Sequence, residues 1–155
     1  MNIIVQSLTE QDRTQWEALY RGYAEFYKVP MNEDILNTVW SWIFDKDNAF
    51  YCFLAKTDEG KAVGLMHCRA MASPLRGAMV GFLDDLFIDP DHRGSGTAQL
   101  MYQALADFGK GQAWPFVRWI TADNNYRGRG SYDKIADKTH WVTYQMATDT
   151  QEVCY

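Results

Sequence analysis

The sequence is poor in cysteine, in positive charge and in long apolar runs, and each shortage excludes a class of protein. Its three cysteines, Cys52, Cys68 and Cys154, are odd in number and lack the spacing of a metal site or redox pair, which favours a reducing compartment. No apolar run reaches the length of a membrane span and no secretory signal pattern is present, so we expect a cytoplasmic protein without a membrane partner. The formal charge of −5 argues against a nucleic-acid partner, which would favour a basic surface.

Several catalytic signatures are also missing. The chain has neither the Gly-Lys-Ser/Thr of a phosphate loop nor the G-x-G-x-x-G dinucleotide fingerprint. His67, His92 and His140 are scattered without the His-Glu-x-x-His pattern, so no metal is expected. Ser95 lies between two glycines but not in a Gly-x-Ser-x-Gly elbow, which predicts a turn residue and phosphate ligand rather than a nucleophile.

The chain has the length and composition of one globular domain. It has 155 residues, of which 47% are hydrophobic, and this is enough to bury an independent core. No internal repeat, low-complexity segment or linker interrupts it. We therefore expect a single domain over residues 1–155.

A strand, a glycine-rich turn and a helix follow one another in the middle of the chain. Val80–Ile88 is β-rich and apolar apart from two adjacent carboxylates, and the Asp-Pro pair after it ends the strand. From Thr97 apolar residues recur at helical spacing, and Gly109 predicts the helix end. A helix start presents unpaired N–H groups and a positive dipole end, and Arg93, Gly94 and Gly96 add a charged fork and close backbone access. The turn therefore predicts a phosphate or pyrophosphate site; the alternative is a plain connecting loop.

The same residues carry a family resemblance. Arg93-Gly-Ser-Gly96-Thr-Ala98 fits the Arg/Gln-x-x-Gly-x-Gly/Ala signature of acetyl-CoA binding in the GNAT superfamily of N-acetyltransferases. The preceding Leu-Asp-Asp-Leu-Phe-Ile-Asp-Pro resembles the fourth strand of that family, in particular of its polyamine acetyltransferases. The resemblance implies that acetyl-CoA phosphates contact Arg93, Gly94, Ser95, Gly96, Thr97 and Ala98. It also implies that the main chain of Leu86, Phe87 and Ile88 lines the thioester.

The remaining segments predict an α/β fold. Short apolar runs predict strands at Ile3–Val5, Phe50–Ala55, Ala62–Met71, Phe116–Thr121 and Trp141–Met146, and helical spacing marks two early helices and a short one within Asn124–Ala136. The order β-α-α-β-β-β-α-β-α-β gives a mixed sheet with helices on both faces. It matches the order of the GNAT fold, whose sheet is mostly antiparallel.

Two adjacent carboxylates, Asp84 and Asp85, are the candidates for amine deprotonation. Neighbouring strand residues point to opposite faces, so at most one reaches a cleft unless a bulge intervenes. The resemblance implies that an acidic pair here binds the amine and removes its proton through water; Asp84 is favoured. The alternative is that the aspartates cap loops or pair with Arg69 or Arg76.

The resemblance also implies an acid and a pantetheine contact later in the chain. Asn125 and Tyr132 have the seven-residue separation of the family's asparagine and catalytic tyrosine. A tyrosine hydroxyl, with a pKa of about 10, can protonate the departing thiolate. The glycines at 128 and 130 make a poor helix interior, so a later helix start at Ser131 is an alternative. The alternative for Tyr132 is that it is an aromatic residue packed in the core.

The acceptor is expected near the first two helices, where the resemblance places the pocket wall. Tyr23, Glu25, Tyr27 and Trp40 lie there and suit an ammonium group, although an aromatic stripe at helical spacing is also typical of a core. The leading hypothesis is an acetyl-CoA-dependent transfer to a primary amine, a small amine or polyamine, by direct attack. The alternative is a non-catalytic acyl-CoA-binding sensor or interaction module. Similar proteins are often homodimers.

Overall fold

The computed structural model describes residues 2–149 and contains the predicted succession of strands and helices except for the last predicted strand. Cys154 lies outside these residues. Contacts divide the chain between Trp119 and Ile120 into two compact units. No helix within residues 2–149 is long and apolar enough to cross a membrane. The elements are β1 Ile3–Ser7, α1 Arg13–Tyr27, α2 Glu33–Phe44, β2 Phe50–Thr57, β3 Ala62–Ser73, β4 Ala78–Ile88, α3 Thr97–Gly111, β5 Val117–Arg118 and α4 Tyr126–Tyr132.

The sheet has five strands in sequence order. The first three pairings are antiparallel and the last, between β4 and β5, is parallel. Tight turns with left-handed glycines join β2 to β3 at Gly60, with φ of 81°, and β3 to β4 at Gly77, with φ of 60°. The predicted mixed, mostly antiparallel α/β fold is confirmed.

Buried side chains on both faces of the sheet form two core clusters. Along β2, Phe50, Cys52 and Leu54 pack with α1 and α2, whereas Phe53 and Ala55 pack with α3. This period of two is what a strand buried on both faces requires. Helices therefore cover both faces, as predicted.

A capping box closes the short 3-10 turn Glu10–Asp12, which leads directly into α1. The Asp12 carboxylate accepts hydrogen bonds from the Thr9 backbone N–H at 2.8 Å and the Thr9 hydroxyl at 3.1 Å. Asp12 is buried and forms an ion pair with Lys56 of β2 at 2.6 Å. The Asp12 side chain thus closes the turn before α1 and also ties that turn to the sheet.

Two predicted boundaries and one predicted strand are wrong. The helix α3 continues two residues beyond Gly109, and the predicted strand 116–121 is paired only at Val117–Arg118. Within the described residues, 141–146 form no strand, and Val142 and Tyr144 are 75% and 91% exposed. Alternating apolar residues indicate which faces a strand would present, but a strand forms only where a neighbouring ladder accepts its hydrogen bonds.

Candidate active site

A β-bulge in β4 places both carboxylates on one cavity. His67 of β3 pairs with Asp85 and Cys68 pairs with Leu83, so Asp84 is the extra residue of the ladder. Asp84 and Asp85 consequently both line a cavity of about 690 Å³ between β4 and the two early helices. The bulge removes the alternation that would otherwise have sent the two side chains to opposite faces.

Asp85 is held by hydrogen bonds from two elements. Its Oδ2 accepts from the Tyr20 hydroxyl of α1 at 3.0 Å and lies 2.8 Å from Nδ1 of His67. Nε2 of His67 lies 2.9 Å from the indole Nε1 of Trp16. Because an indole N–H only donates, Nε2 must be the acceptor, and the proton of the neutral ring is on Nδ1, facing Asp85.

The two carboxyl groups have opposite pKa shifts. Burial raises the pKa of Asp84; the Arg69 guanidinium opposes this shift and the charge of Asp85 adds to it. Burial alone would also raise the pKa of Asp85. The hydrogen bond and electrostatic attraction of His67, together with hydrogen bonds from Tyr23 and Tyr20, outweigh burial and lower this pKa. Paired acids with diverging pKa values are typical of a site in which one stays anionic while the other exchanges a proton.

Arg69 and aromatic rings complete the cavity. The Arg69 Nε lies 3.1 Å from Asp84 Oδ2, and its guanidinium lies over the Phe82 ring at 4.8 Å. The sequence predicted such a pairing with Arg69 as the alternative to a role of the aspartates in amine deprotonation. The other lining residues are Tyr20, Val39, Trp42, Asn48, Ala49, Phe50 and Ala70.

The four predicted acceptor residues separate into different environments. Tyr23 contributes to the hydrogen bonding of Asp85, and the ring of Tyr27 packs 4.7 Å from that of Tyr23. Trp40 packs on Trp16 at 5.1 Å in the core. Glu25 lines another cavity, of about 660 Å³, which shares no residue with the first.

The edge of β4 opens beyond the bulge. β5 pairs with β4 only at Gly81 and Phe82, so among the described strands none accompanies residues 83–88 on that side. Phe87 packs into the core under α1, whereas Leu86 and Ile88 pack toward α3. A free strand edge of this kind leaves main-chain groups available to a ligand.

The turn before α3 has the backbone geometry of an anion site. Gly94 and Gly96 have φ of 78° and 84°, and a Cβ at either would meet nothing within 4 Å. Gly96 is the N-cap of α3, with no side-chain hydrogen bond to the first turn. The Ser95 hydroxyl lies 2.8 Å from that of Thr97 and donates to the His92 carbonyl. Open space therefore borders the two glycines that precede Thr97 and Ala98 at the start of α3.

Arg93 is anchored at the base of this turn. Its Nε donates to the Ile88 carbonyl at 3.2 Å, and its guanidinium lies over the Phe26 and Phe87 rings at 4.7 and 5.7 Å. The two terminal nitrogens of the fork are not used by this hydrogen bond. Arg93 therefore ties the turn to the end of β4.

The second unit contains Asn125 and Tyr132. Asn125 caps α4: its side chain accepts from the Gly128 N–H at 3.2 Å and donates to the Thr121 hydroxyl at 2.9 Å. A Cβ at position 128 would lie 2.4 Å from the Asn125 amide, so glycine is required for this cap. The helix therefore begins directly after Asn125, the later start at Ser131 is wrong, and Tyr132 is the last helical residue.

Sequence patterns did not identify His67, Tyr20 or Trp42 as site residues. The one signal that the sequence offered is a polar residue, His67, within the otherwise apolar run of β3. The structure shows that this residue is fully buried. No group of three or more potential metal ligands occurs within residues 2–149.

Comparisons with known proteins agree on one family. The model of the acetyltransferase (GNAT) family matches residues 15–136, which span both units. A ribosomal-protein-alanine N-acetyltransferase from Brucella melitensis biovar Abortus 2308 is 25% identical, with a TM-score of 0.80 over 94% of this chain and 99% of that one. An aminoglycoside 6'-N-acetyltransferase from Acinetobacter baumannii is 21% identical, with a TM-score of 0.79 over 96% and 99%. An aminoglycoside N-acetyltransferase in complex with CoA is 16% identical, with a TM-score of 0.82 over 96% of both chains.

Proposed function

Because the chain belongs to the acetyltransferase (GNAT) family and is an acetyl-CoA-dependent N-acetyltransferase, we propose that it acetylates a primary amine of a small polycationic molecule. The observation that carries the proposal is the bulge that directs Asp84 and Asp85 into one cavity. Aromatic walls from Tyr20, Trp42 and Phe50 suit an ammonium group and its methylene chain.

The reaction requires a neutral amine. An alkyl ammonium with a pKa of about 10.4 is neutral in roughly one molecule in 2,500 at pH 7. In this proposal Asp85, the carboxylate with the lowered pKa, binds the ammonium, and Asp84, whose pKa is raised, receives its proton through water. In this proposal the Arg69 side chain, which is 47% exposed, moves off Asp84 when the amine enters.

Acetyl transfer then proceeds in the ternary complex. The neutral amine nitrogen forms a bond with the acetyl carbon and the carbon–sulfur bond breaks. Tyr132 donates a proton to the departing CoA thiolate, and the proton that the nitrogen loses after attack returns to Tyr132 through water. A main-chain N–H at Leu86–Ile88 donates to the tetrahedral oxyanion. The turn from Arg93 to Ala98 holds the pyrophosphate, and Asn125 contacts the pantetheine; the open helix start and left-handed glycines support the pyrophosphate assignment.

Two classes of acceptor have the required charge. The resemblance of β4 to polyamine acetyltransferases favours linear diamines and polyamines, and the aminoglycoside enzymes among the similar structures act on another polycation. We favour the linear amines, because a slender chain needs less room than a ring system. The open cavity argues against the occluded cleft expected of a sensor.

The wider setting forms part of the same proposal. We expect the enzyme to act in the cytoplasm as one domain over residues 1–155 and to form a homodimer. Its partner is a free small molecule rather than nucleic acid or a membrane.

Release of CoA thiol with an amine panel tests the proposal. The panel contains butylamine, diamines of increasing length, spermidine, an aminoglycoside and an N-terminal alanine peptide. We expect turnover of diamines or spermidine to exceed that of butylamine, and Asp85→Asn to raise KM for the amine. Asp107→Asn, an exposed position on α3, is the matched control and should behave as wild type. Preference for butylamine or the peptide would contradict the proposal.

A further inference from the structure

Trp16, His67 and Asp85 form a continuous chain of hydrogen bonds from the core to the acid cavity. Trp16 and His67 are both 0% exposed, and the chain consists of two contacts, of 2.9 and 2.8 Å. Buried polar groups are tolerated only when each finds a partner, and an apolar pair would fill this space without that requirement. The buried Trp16–His67 pair therefore indicates a functional role, which we seek at the end of the chain that reaches the cavity, the Asp85 carboxylate.

The direction of the chain is fixed by the indole. Trp16 can only donate, so a second proton on Nε2 of His67 would face the indole hydrogen directly. His67 is therefore neutral with its proton on Nδ1, and this N–H points at Asp85. A histidine without the Trp16 contact would be free to adopt the other tautomer or to take a second proton.

The groups around His67 come from three elements. The Tyr20 ring on α1 lies 4.7 Å from the imidazole, Cys52 on β2 is its cross-strand neighbour, and Asp84 and Asp85 face it from β4. Burial raises the pKa of the Tyr20 hydroxyl and that of the Cys52 thiol, so both stay protonated at neutral pH. The charges that face the imidazole are those of the two aspartates.

We propose that Trp16 and His67 are positioning residues, in which Trp16 holds His67 as the neutral Nδ1–H tautomer and His67 fixes Asp85 as an oriented anion for the acceptor ammonium. The proposal rests on the proposed function for the role of Asp85. Tyr20 and His67 both donate to Oδ2, so rotation of the carboxylate is restricted from two sides. This arrangement leaves proton exchange to Asp84.

Imidazole nitrogen NMR on the ¹⁵N-labelled wild-type protein tests the first half. We expect His67 to show a protonated Nδ1 and an acceptor Nε2. In Trp16→Phe, which preserves an aromatic ring but lacks the indole donor, we expect the Nε2 signal to lose the chemical shift of a hydrogen-bond acceptor. An Nε2–H tautomer in the wild type would overturn the assignment.

Amine kinetics test the second half. Loss of one hydrogen bond to a charged group predicts a rise in amine KM of roughly tenfold in His67→Leu. The acidic limb of kcat/KM should move to higher pH, because Asp85 loses a donor that lowers its pKa. His67→Gln, which can still donate to Asp85, should retain most of the wild-type KM. A purely structural role would lower the melting temperature while leaving KM and the limb unchanged, and would refute the proposal.

The two arms separate this inference from the proposed function. If the wild type acetylates no amine, the proposed function fails, while the imidazole signals still decide the tautomer. If amines are acetylated but both histidine variants keep the wild-type KM and pH profile, the positioning role alone is wrong.

Discussion

Replacing Asp84 by asparagine isolates proton transfer from binding. Asparagine has nearly the same shape, and Asp85 with its donors from Tyr20 and His67 is retained. The Arg69 ion pair is lost, but Arg69 is 47% exposed, and a pair of this kind contributes at most about 1 kcal/mol to stability. We therefore expect a folded enzyme that still binds the amine.

The expected loss is in kcat. General-base catalysis contributes about 10²- to 10⁴-fold, so at pH 7 the kcat of Asp84→Asn should fall by about two orders of magnitude or more with little change in KM. The neutral fraction of a free amine rises tenfold per pH unit below its pKa of about 10.4, so the defect should shrink as pH increases. Steady-state thiol release from pH 6.5 to 9.5 measures both quantities.

Two results would refute this reasoning. A kcat within twofold of wild type at pH 7 would remove Asp84 from proton transfer. A large defect of constant size across the pH range would indicate misplacement of the substrate instead. Asp107→Asn serves again as the exposed control.

Three other perturbations probe the cofactor turn, the acid and the cap. Gly96→Asp should abolish CoA binding in calorimetry, because the new side chain enters the open space at the helix start. Gly77→Asp, with comparable left-handed strain and open space, should bind CoA normally. Equal effects of the two substitutions would contradict a pyrophosphate site at this turn. Tyr132→Phe should lower kcat and leave CoA affinity nearly intact, and unchanged turnover across pH would remove Tyr132 from the acid role. Asp12→Ala should lower the free energy of unfolding by about 2 kcal/mol in urea, because it removes a buried cap and leaves Lys56 unpaired. Burial raises the pKa of Asp12, but its hydrogen bonds and Lys56 lower this pKa by more. The stability that Asp12 contributes is therefore present above the ordinary aspartate pKa and is lost as pH falls through the lowered pKa. An unfolding free energy of Asp12→Ala equal to that of wild type at both pH 7 and pH 3 would contradict this prediction.

Local patterns were sufficient for much of the architecture. The glycine turn before α3 and the apolar periods of the strands and helices depend on residues close together in sequence. Interactions of that range are encoded in the residue types themselves, so they can be predicted without knowledge of the fold. The helix through Gly128 was the exception, because its cap by Asn125 requires the absence of a side chain at a position where propensity alone disfavours glycine.

The arrangement of the acids depended on tertiary structure. The side chains of adjacent aspartates in a regular strand would point to opposite faces of the sheet. The register between β3 and β4 introduces the bulge that brings Asp84 and Asp85 to one cavity. The partners of Asp85 come from residues 65 and 18 positions away, Tyr20 and His67, and no local pattern links them. Segment 141–146 shows the reverse case: its alternation predicts a strand, but pairing is decided by which edge is within reach. By itself the sequence determined the glycine-rich turn, the order of the elements up to α4 and the family, because these rest on short-range chemistry. The pKa shifts and the orientation of the two aspartates were decided by the tertiary structure, because they arise from burial and from hydrogen bonds across the sheet.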